Sequence, residues 1–399
     1  MSEGYRLQNF LRSRTPLGTL TDPEAVDYTF LQKITVGQQF RALATDTVRE
    51  VRDLPAVAGI FERVFSGGFG TGKTHMALWL YYNMAKVTPD ENELIITLDF
   101  SRLSNNADHV DYLIFSGMHV AGGYGYRQAC TEIFSRLKRH LEIESSDQLK
   151  NVLKQFFNSA YRAALDIEQP AVKLIAGVFE RNLGDEARNL LRDREIKTLI
   201  RDLQSQTTPE FTVFLEELSD LVANPDSAGE SFDSLLHDLS EKHVLLDILF
   251  KLLRVAGYTR VVIMADELES LNPKGNLFLQ QVLNRIRDIR DTTAQKAGSA
   301  YPAVAMMYFA TPPFLDENVQ AGEPALWTRW HGAIFPMPEA SIDETIEQIL
   351  PIVRQNGLIT GSLEEDTLVE NIIAEESPED VVTFRWLLEK LYDNLRATG

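Results

Sequence analysis

One glycine-rich stretch decides how this chain is interpreted: Gly67-Gly68-Phe69-Gly70-Thr71-Gly72-Lys73-Thr74. It matches the pattern G-x-x-x-x-G-K-[ST], in which glycines let the backbone curl until its N–H groups face phosphate oxygens. In this pattern the lysine reaches the β- and γ-phosphates and the last hydroxyl binds Mg²⁺. The short, mostly apolar run Phe61–Ser66 precedes it, and Met76 to Lys86 follows with apolar residues at helical spacing. We therefore predict a strand, a phosphate-binding loop and a helix, with His75 included in the binding segment.

A second motif predicts carboxylates at the end of another strand. The apolar run Val261–Ala265 is followed directly by Asp266 and Glu267. Acidic residues at the carboxyl end of a parallel strand lie where ligands bind in such sheets. Asp266 is the candidate Mg²⁺ ligand, directly or through water, and Glu267 is the candidate that orients and polarises an attacking water. Glu269 is expected to be a solvated helix residue.

A polar residue also follows the next apolar run. Thr311 comes directly after Ala303–Ala310, which we predict to be the strand beside the one that ends in Asp266. Thr311 either contacts the γ-phosphate or the water, or only opens the Pro312-Pro313 turn.

Composition excludes several classes of protein. The chain has 399 residues, of which 44% are hydrophobic, too many for a disordered chain. No apolar run approaches the ~18–20 residues that span a bilayer, and no secretory h-region is visible. A single cysteine, Cys130, excludes a disulfide framework and any multi-cysteine metal site. We therefore expect a cytoplasmic protein that does not enter a membrane.

The net charge of −19 is confined to residues 141–399, because residues 1–140 carry equal numbers of basic and acidic side chains. Bulk acidity opposes non-specific binding to nucleic acid or anionic lipid. It leaves room for a small local basic site.

Strands that alternate with helices predict an α/β fold with a parallel sheet. We predict five parallel strands, a leader over residues 1–58, a core over 59–340 and a small helical lid over 341–399. Residues 101–126 are expected to form a loop. The long separation of Lys73 from Asp266 predicts a helical insertion over about 143–240, which either contacts other proteins or is a structural decoration.

The order of these motifs resembles the AAA+ superfamily of P-loop ATPases. Ala325-Leu326-Trp327-Thr328-Arg329-Trp330 looks like the stretch that carries the arginine finger of that superfamily, ahead of the fifth strand. The glycine-rich loop and the Asp-Glu-Leu-Glu run look more like the initiator-type (origin-recognition-like) clade, which includes ATP-binding proteins of BREX-type bacterial defence systems. The resemblance implies ATP and Mg²⁺ as ligands. It implies that Arg329 acts on ATP held by a neighbouring subunit; a surface arginine between packing tryptophans is the alternative.

Two further positions carry weaker family signals. Val36-Gly37 resembles the short motif beside the adenine, or is a plain loop. Arg385 is the only arginine near the place of the lid residue called sensor 2, and a solvated helix arginine is the more ordinary interpretation.

Signals for nucleic acid are few. The basic clusters Arg136–His140 and Asn284–Arg290 lie on predicted helices, and solvated helical faces are the more ordinary interpretation. The glycines of the 101–126 segment suit a loop aimed into the pore of a ring, or an ordinary surface loop. Any contact with DNA is expected to come through a larger complex.

The sequence is compatible with three functions. The first is an ATPase that assembles into homo-oligomers or hetero-complexes and drives or regulates a multi-protein complex acting on DNA, such as an antiphage defence system. The second is a nucleotide-dependent interaction switch with slow or no turnover. A phosphotransferase ranks last, because Asp266 and Glu267 suit water activation and no acceptor site is visible.

Overall fold

A seven-stranded mixed sheet lies at the centre of this α/β fold. The computed structural model describes residues 20–35, 37–55, 60–120, 123–140, 209–297, 301–338 and 342–355, together with positions 390 and 393. In chain order the strands are β1 (Ile60–Ser66), β2 (Glu93–Asp99), β3 (Met118–Val120), β4 (Gly123–Tyr124), β5 (Arg260–Asp266), β6 (Ala303–Ala310) and β7 (Ile334–Pro336). Across the sheet their order is β4-β3-β2-β5-β6-β1-β7.

The five strands expected from the sequence are all present and run parallel, in the order β2-β5-β6-β1-β7. The expectation of a sheet with only five strands is wrong, because β3 and β4 add an antiparallel edge beside β2. The expectation of a loop over 101–126 is wrong for the same reason. Gly117 lies so close to β2 that a Cβ atom there would meet the Thr97 carbonyl oxygen at 2.2 Å. This close approach lets the chain reverse and pair with β2.

Helices surround the sheet. They are α1 (Tyr28–Ile34), α2 (Gln38–Asp53), α3 (Lys73–Tyr82), α4 (Val110–Ser116), α5 (Tyr126–His140), α6 (Pro209–Ala223), α7 (Pro225–Glu241), α8 (Leu245–Val255), α9 (Asn276–Lys296), α10 (Pro324–Trp330) and α11 (Ile342–Gln355). No helix of the described residues is long and apolar enough to cross a membrane.

Both faces of the sheet are buried. Val261 and Ile263 of β5 belong to one hydrophobic core, and Val262 and Met264 of the same strand belong to a second. Successive side chains of a strand point to opposite faces, so the continuous apolar run of β5 is explained by a helix layer on each side. Helices α1 to α3 cover one face, and helices between α4 and α10 cover the other.

The described part of the predicted leader belongs to the core around the sheet. Leu31 of α1 and Phe40 of α2 are buried in the same core as Met76 of α3. Gln348 of α11, in the predicted lid, donates hydrogen bonds to the carbonyl oxygens of Lys33 and Thr35. The N-terminal helices therefore connect the glycine-rich loop segment to the only part of the lid that is described at length. The division into leader, core and lid stays a prediction.

The described part of the predicted insertion, from residue 209 onward, is helical. Phe214 of α6 and Phe232 of α7 are fully buried against each other and against Phe115 of α4. These aromatic contacts fix α6 and α7 to the sheet's helix layer. Residues 141–208 lie outside the described ranges.

Candidate functional site

Three predicted site segments meet at one edge of the sheet. Parallel strands β1, β5 and β6 all end there, and β6 lies between the other two. Ser66 is paired with Ala310, so the loop after β1 and Thr311 after β6 begin at the same level. Asp266, the last residue of β5, is paired with Asp99 at the end of β2. The carboxyl edge thus gathers the glycine loop (residues 67–72), Asp266, Glu267 and Thr311, as the sequence predicts, and adds Asp99 to them.

The glycine loop needs glycine at specific positions. A Cβ atom on Gly67 would meet Thr71 Oγ1 at 2.4 Å and Met337 at 2.8 Å. Gly70 and Gly72 have φ values of +81° and +94°, in the region that residues with side chains rarely adopt. Gly72 is the N-cap residue directly before α3, and its carbonyl accepts the N–H of Met76 at 2.8 Å. The loop therefore turns sharply and brings the first turn of α3 to the carboxyl edge, where the N–H groups of a helix N-terminus suit an anion.

The ammonium of Lys73 lies inside this loop. Nζ donates to the carbonyl oxygens of Gly67 at 2.9 Å and Gly68 at 3.2 Å. It also lies 3.5 Å from Glu269 Oε1 and 5.6 Å from the centre of the Phe69 ring. Only 8% of the lysine side chain is exposed, whereas Phe69 is two-thirds exposed. The lysine is therefore a buried cation at the centre of the loop.

Thr74 and Asp266 are joined directly. The Thr74 hydroxyl donates a 2.7 Å hydrogen bond to Asp266 Oδ2, across 192 positions of sequence. Asp266 Oδ1 accepts the N–H of Glu267 at 2.9 Å. Burial raises the pKa of Asp266 to about 7, aided by the charges of Glu267 and Glu269 and opposed by these two hydrogen bonds. Asp266 is thus a buried oxygen donor whose ionisation would be favoured by a nearby cation.

Glu267 has an unusual backbone. Its φ is +60°, in the left-handed region, and His243 is the only other non-glycine residue with positive φ in the described ranges. The residue is exposed to solvent. Its pKa is nevertheless raised, first by partial loss of hydration and then by the charges of Glu269 and Asp99. Such strain collects at functional sites, where the surrounding structure maintains it. The turn directs Glu267 to solvent while its neighbour Asp266 faces inward.

Glu269 was missed by sequence reasoning. The expectation that it is a solvated helix residue is wrong, because only 11% of its side chain is exposed and it lies beside Lys73. A 3₁₀ turn from Leu268 to Lys274 follows β5. Glu269 lies in the first turn of this segment, and, in addition to burial, its charge raises the pKa of Asp266. The available signal in the sequence was Glu267-Leu268-Glu269, in which two acids flank an apolar residue that is buried in the fold.

Thr311 is buried at the carboxyl edge, at 4% exposure. Its carbonyl accepts the N–H of Leu315 at 3.1 Å, so it also begins the helical segment Phe314–Gln320. The structure brings Thr311 to the predicted edge, and both interpretations of this residue remain open.

The structure places His75 against the N-terminal helices. Thr35 uses its hydroxyl hydrogen on the Leu31 carbonyl, so His75 Nε2 donates to Thr35 Oγ1 at 2.7 Å. The Phe40 ring packs edge-on against the imidazole, at 5.4 Å. Burial lowers the pKa of His75 to about 4, which keeps the ring neutral. Gly37 begins α2 nearby, and Val36 lies outside the described residues.

Arg329 is engaged within its own chain. Its guanidinium donates to both carboxylate oxygens of Asp291 at 2.7 and 2.6 Å, and to the Ala325 carbonyl. Asp291 also pairs with Arg290, which reaches Glu62 in the middle of β1. None of these contacts involves the glycine loop. Arg385, the other predicted arginine, lies outside the described residues.

Three arginines of the predicted basic clusters are paired within the chain. Arg285 binds fully buried Asp111 through two hydrogen bonds, and Arg287 binds Glu323 at 2.6 Å. Arg136 pairs with Glu132 and lies over the Tyr258 ring. The interpretation as a solvated face is therefore wrong for Arg136 and Arg285, whose side chains are mostly buried, and the charges of all three arginines are balanced within the chain.

Comparison with protein-family models, with curated proteins and with solved structures finds no match to this chain.

Proposed function

We propose that this protein binds Mg·ATP at the carboxyl edge of its sheet and hydrolyses ATP, as a P-loop ATPase of AAA+ type. One observation carries the proposal: the 2.7 Å hydrogen bond from Thr74 to Asp266, which joins the glycine loop to the acidic strand end. These motifs are far apart in sequence, and a chance match to either would not require them to meet.

The donor set fits a hard divalent cation. Mg²⁺ prefers oxygen ligands and keeps several waters, with one or two carboxylates and substrate phosphates completing its shell. In the described part of the chain no group of three or more His, Cys, Asp or Glu side chains is arranged to hold a metal ion by itself. Thr74 and Asp266 supply one hydroxyl and one carboxylate, as expected for a site shared with phosphate. Bound Mg²⁺ would neutralise phosphate charge there.

Each residue of the edge has a separable role. The glycine loop and the start of α3 bind the phosphates through backbone N–H groups, and Lys73 binds them through its ammonium. Asp266 orients the Thr74 hydroxyl by accepting its hydrogen. Glu267, exposed beside Asp266, holds the attacking water and accepts its proton. Thr311 lies at the adjoining strand end and is the candidate contact to the γ-phosphate or the water.

Arg329 is the proposed finger for ATP held by a neighbouring subunit. Its contacts lead to Asp291 and, through Arg290, to Glu62, and none of them involves its own glycine loop, which is compatible with action on another copy. An arginine finger is worth about 10³–10⁵ in rate, so a finger variant mixed with intact subunits gives a clear readout. The proposed output is the driving or regulation of a multi-protein complex acting on DNA, and antiphage defence follows from the BREX-type resemblance alone. A cytoplasmic location fits the single cysteine, Cys130, which is buried.

A nucleotide-dependent switch with slow turnover is the second candidate. The observation that favours it is the bidentate pairing of Arg329 with Asp291, which already satisfies the proposed finger. A switch would change partners through helices such as α6 and α7 when nucleotide binds.

Mass photometry of Glu267→Gln with and without Mg·ATP, beside phosphate release by the wild-type protein, tests the proposal. We expect ATP-dependent assembly into a defined oligomer and phosphate release that Glu267→Gln suppresses at least a hundredfold. Tight ATP binding with neither assembly nor turnover would favour the switch. Absence of ATP binding in an otherwise folded protein would refute both functions.

A further inference from the structure

The carboxyl edge carries more negative than positive charge. Asp266, Glu267 and Glu269 lie together on β5 and the turn that follows it, and Lys73 is the cation that contacts this group. Buried charges are costly unless they are paired and hydrogen-bonded. The partner that each carboxylate uses therefore indicates what it does.

Glu269 uses Lys73. Its Oε1 is 3.5 Å from the ammonium, while its Oε2 is buried and accepts no hydrogen bond. Asp266, by contrast, receives two hydrogen bonds, and Glu267 is exposed to water. Glu269 is thus the carboxylate of this group that depends most on the lysine.

Lys73 cannot serve every partner at once. An ammonium has three N–H donors, and Lys73 directs two of them to the Gly67 and Gly68 carbonyls. The remaining attraction goes to Glu269. A phosphate that binds Lys73 competes with these oxygens, and it arrives beside a buried carboxylate of like charge.

We propose that Glu269 is a counter-ion that holds Lys73 in its nucleotide-free position and so weakens the binding of nucleotide polyphosphates. This inference rests on the proposed function, because it concerns the affinity of the same site. Each binding event must separate a buried ion pair and leave Glu269 without its cation. After hydrolysis, Glu269 recaptures Lys73 and favours release of the product.

The experiment is a calorimetric titration of Mg·ATP and Mg·ADP into the wild-type protein, Glu269→Gln and a control. Glu91→Gln is the matched control, since Glu91 is exposed in the turn before β2, at the opposite end of the strands. Both variants change net charge equally. Removal of one buried charge near the phosphates is expected to tighten binding of both nucleotides about tenfold, and the control is expected to leave affinity unchanged.

Two further variants separate charge from shape. Glu269→Asp keeps the charge and should retain an affinity close to that of the wild type, whereas Glu269→Ala should tighten binding as Gln does. Glu269→Ala also replaces Glu269→Gln if that variant fails to fold. Unchanged or weaker binding in the folded neutral variants, with normal wild-type binding, would overturn the counter-ion role. No binding by any folded protein, wild type included, would instead overturn the proposed function.

Discussion

Buried charged side chains are paired differently at the two ends of the parallel strands. At the amino end, Arg260 opens β5 and Glu93 opens β2, and their side chains meet at 3.0 Å. The same guanidinium donates to the Arg52 carbonyl at 2.9 Å. At the carboxyl end of the same strands, Asp266, Glu267 and Glu269 lie together, and Lys73 contacts one of them, Glu269, at 3.5 Å.

The difference distinguishes charges that hold the fold from charges that prepare a site. The guanidinium of Arg260 is bonded to a carboxylate and to backbone carbonyls of the folded chain, and charge-assisted bonds of this kind are strong. The carboxylates near Lys73 outnumber the cations, so a bound cation would balance the remaining negative charge. Perturbed groups of this kind collect at functional sites. The comparison predicts that substitutions at the amino end change stability, and those at the carboxyl end change ligand affinity.

The largest expected effect is on stability at the amino end. Arg260→Met leaves Glu93 buried without its cation, and loss of one partner of a buried pair costs about 3–5 kcal/mol. Urea denaturation measures this loss. The double variant Arg260→Met/Glu93→Leu should recover most of it, because no lone charge remains. A single-variant loss below about 1 kcal/mol would contradict the structural role of the pair.

At the carboxyl end, Lys73→Ala should weaken Mg·ATP binding about a hundredfold, because it removes the cation among the carboxylates. Calorimetric titration measures the affinity. Lys86→Ala is the control, since Lys86 pairs with Glu24 away from the loop. Equal affinities in the two variants would show that the glycine loop does not bind phosphate through Lys73.

A third prediction concerns pH. His119 of β3 is buried, and because Thr97 donates to the Leu20 carbonyl, His119 Nε2 donates to Thr97 Oγ1. Burial lowers the pKa of His119 to about 4. The unfolded chain therefore takes up a proton near pH 6.5 that the folded chain refuses, so stability is complete above that pH and falls as the solution becomes more acidic. We expect a loss of about 2 kcal/mol between pH 7 and pH 5 from this residue.

Urea denaturation across that pH range checks the His119 contribution. His119→Gln keeps a side-chain N–H for Thr97 and should reduce the acid loss by about 2 kcal/mol, while His75, whose pKa is also lowered to about 4, keeps its own contribution. His331→Gln, at an exposed position, should leave the slope as it is in the wild type. Equal slopes in wild type and His119→Gln would assign the acid sensitivity to other groups.

The smallest effect is expected at Arg329. Its pair with Asp291 is about 30% exposed on both sides, and such pairs contribute roughly 0–1 kcal/mol. Arg329→Ala should therefore leave the free energy of unfolding within about 1 kcal/mol of the wild type. Asp291→Asn is the matched change on the other partner. A much larger loss would make Arg329 a structural residue and weaken its assignment as a finger.

The strands and loop that local sequence encodes were predictable. The apolar runs before Asp266 and Thr311 are long enough to identify strands, and the glycine loop lies within eight consecutive residues. Strands β3 and β4 have three and two residues, too short for any periodicity, and they form only because β2 offers an unpaired edge. Their existence depends on tertiary pairing that no local pattern contains.

Side-chain pairing across the fold was the other limit. The arginines of α9 look like an exposed basic face in sequence, because their acidic partners Asp111, Glu323 and Glu62 come from other elements. The prediction for Glu269 is wrong for the same reason, because its partner Lys73 is far away in sequence, on the other side of the predicted insertion. Residue types were readable from the sequence, whereas which charges neutralise each other required the fold.

The left-handed backbone of Glu267 implies a conflict between the stability of the fold and the activity of the site. Glycine adopts that conformation without steric cost, and a neutral residue relieves the repulsion from Asp266 and Glu269. Glu267→Gly should therefore melt at a higher temperature than the wild type, and Glu267→Gln by a smaller increment, in thermal denaturation without nucleotide. Selection for stability alone would favour glycine at this position. A glutamate there would therefore reflect selection for turnover rather than for folding.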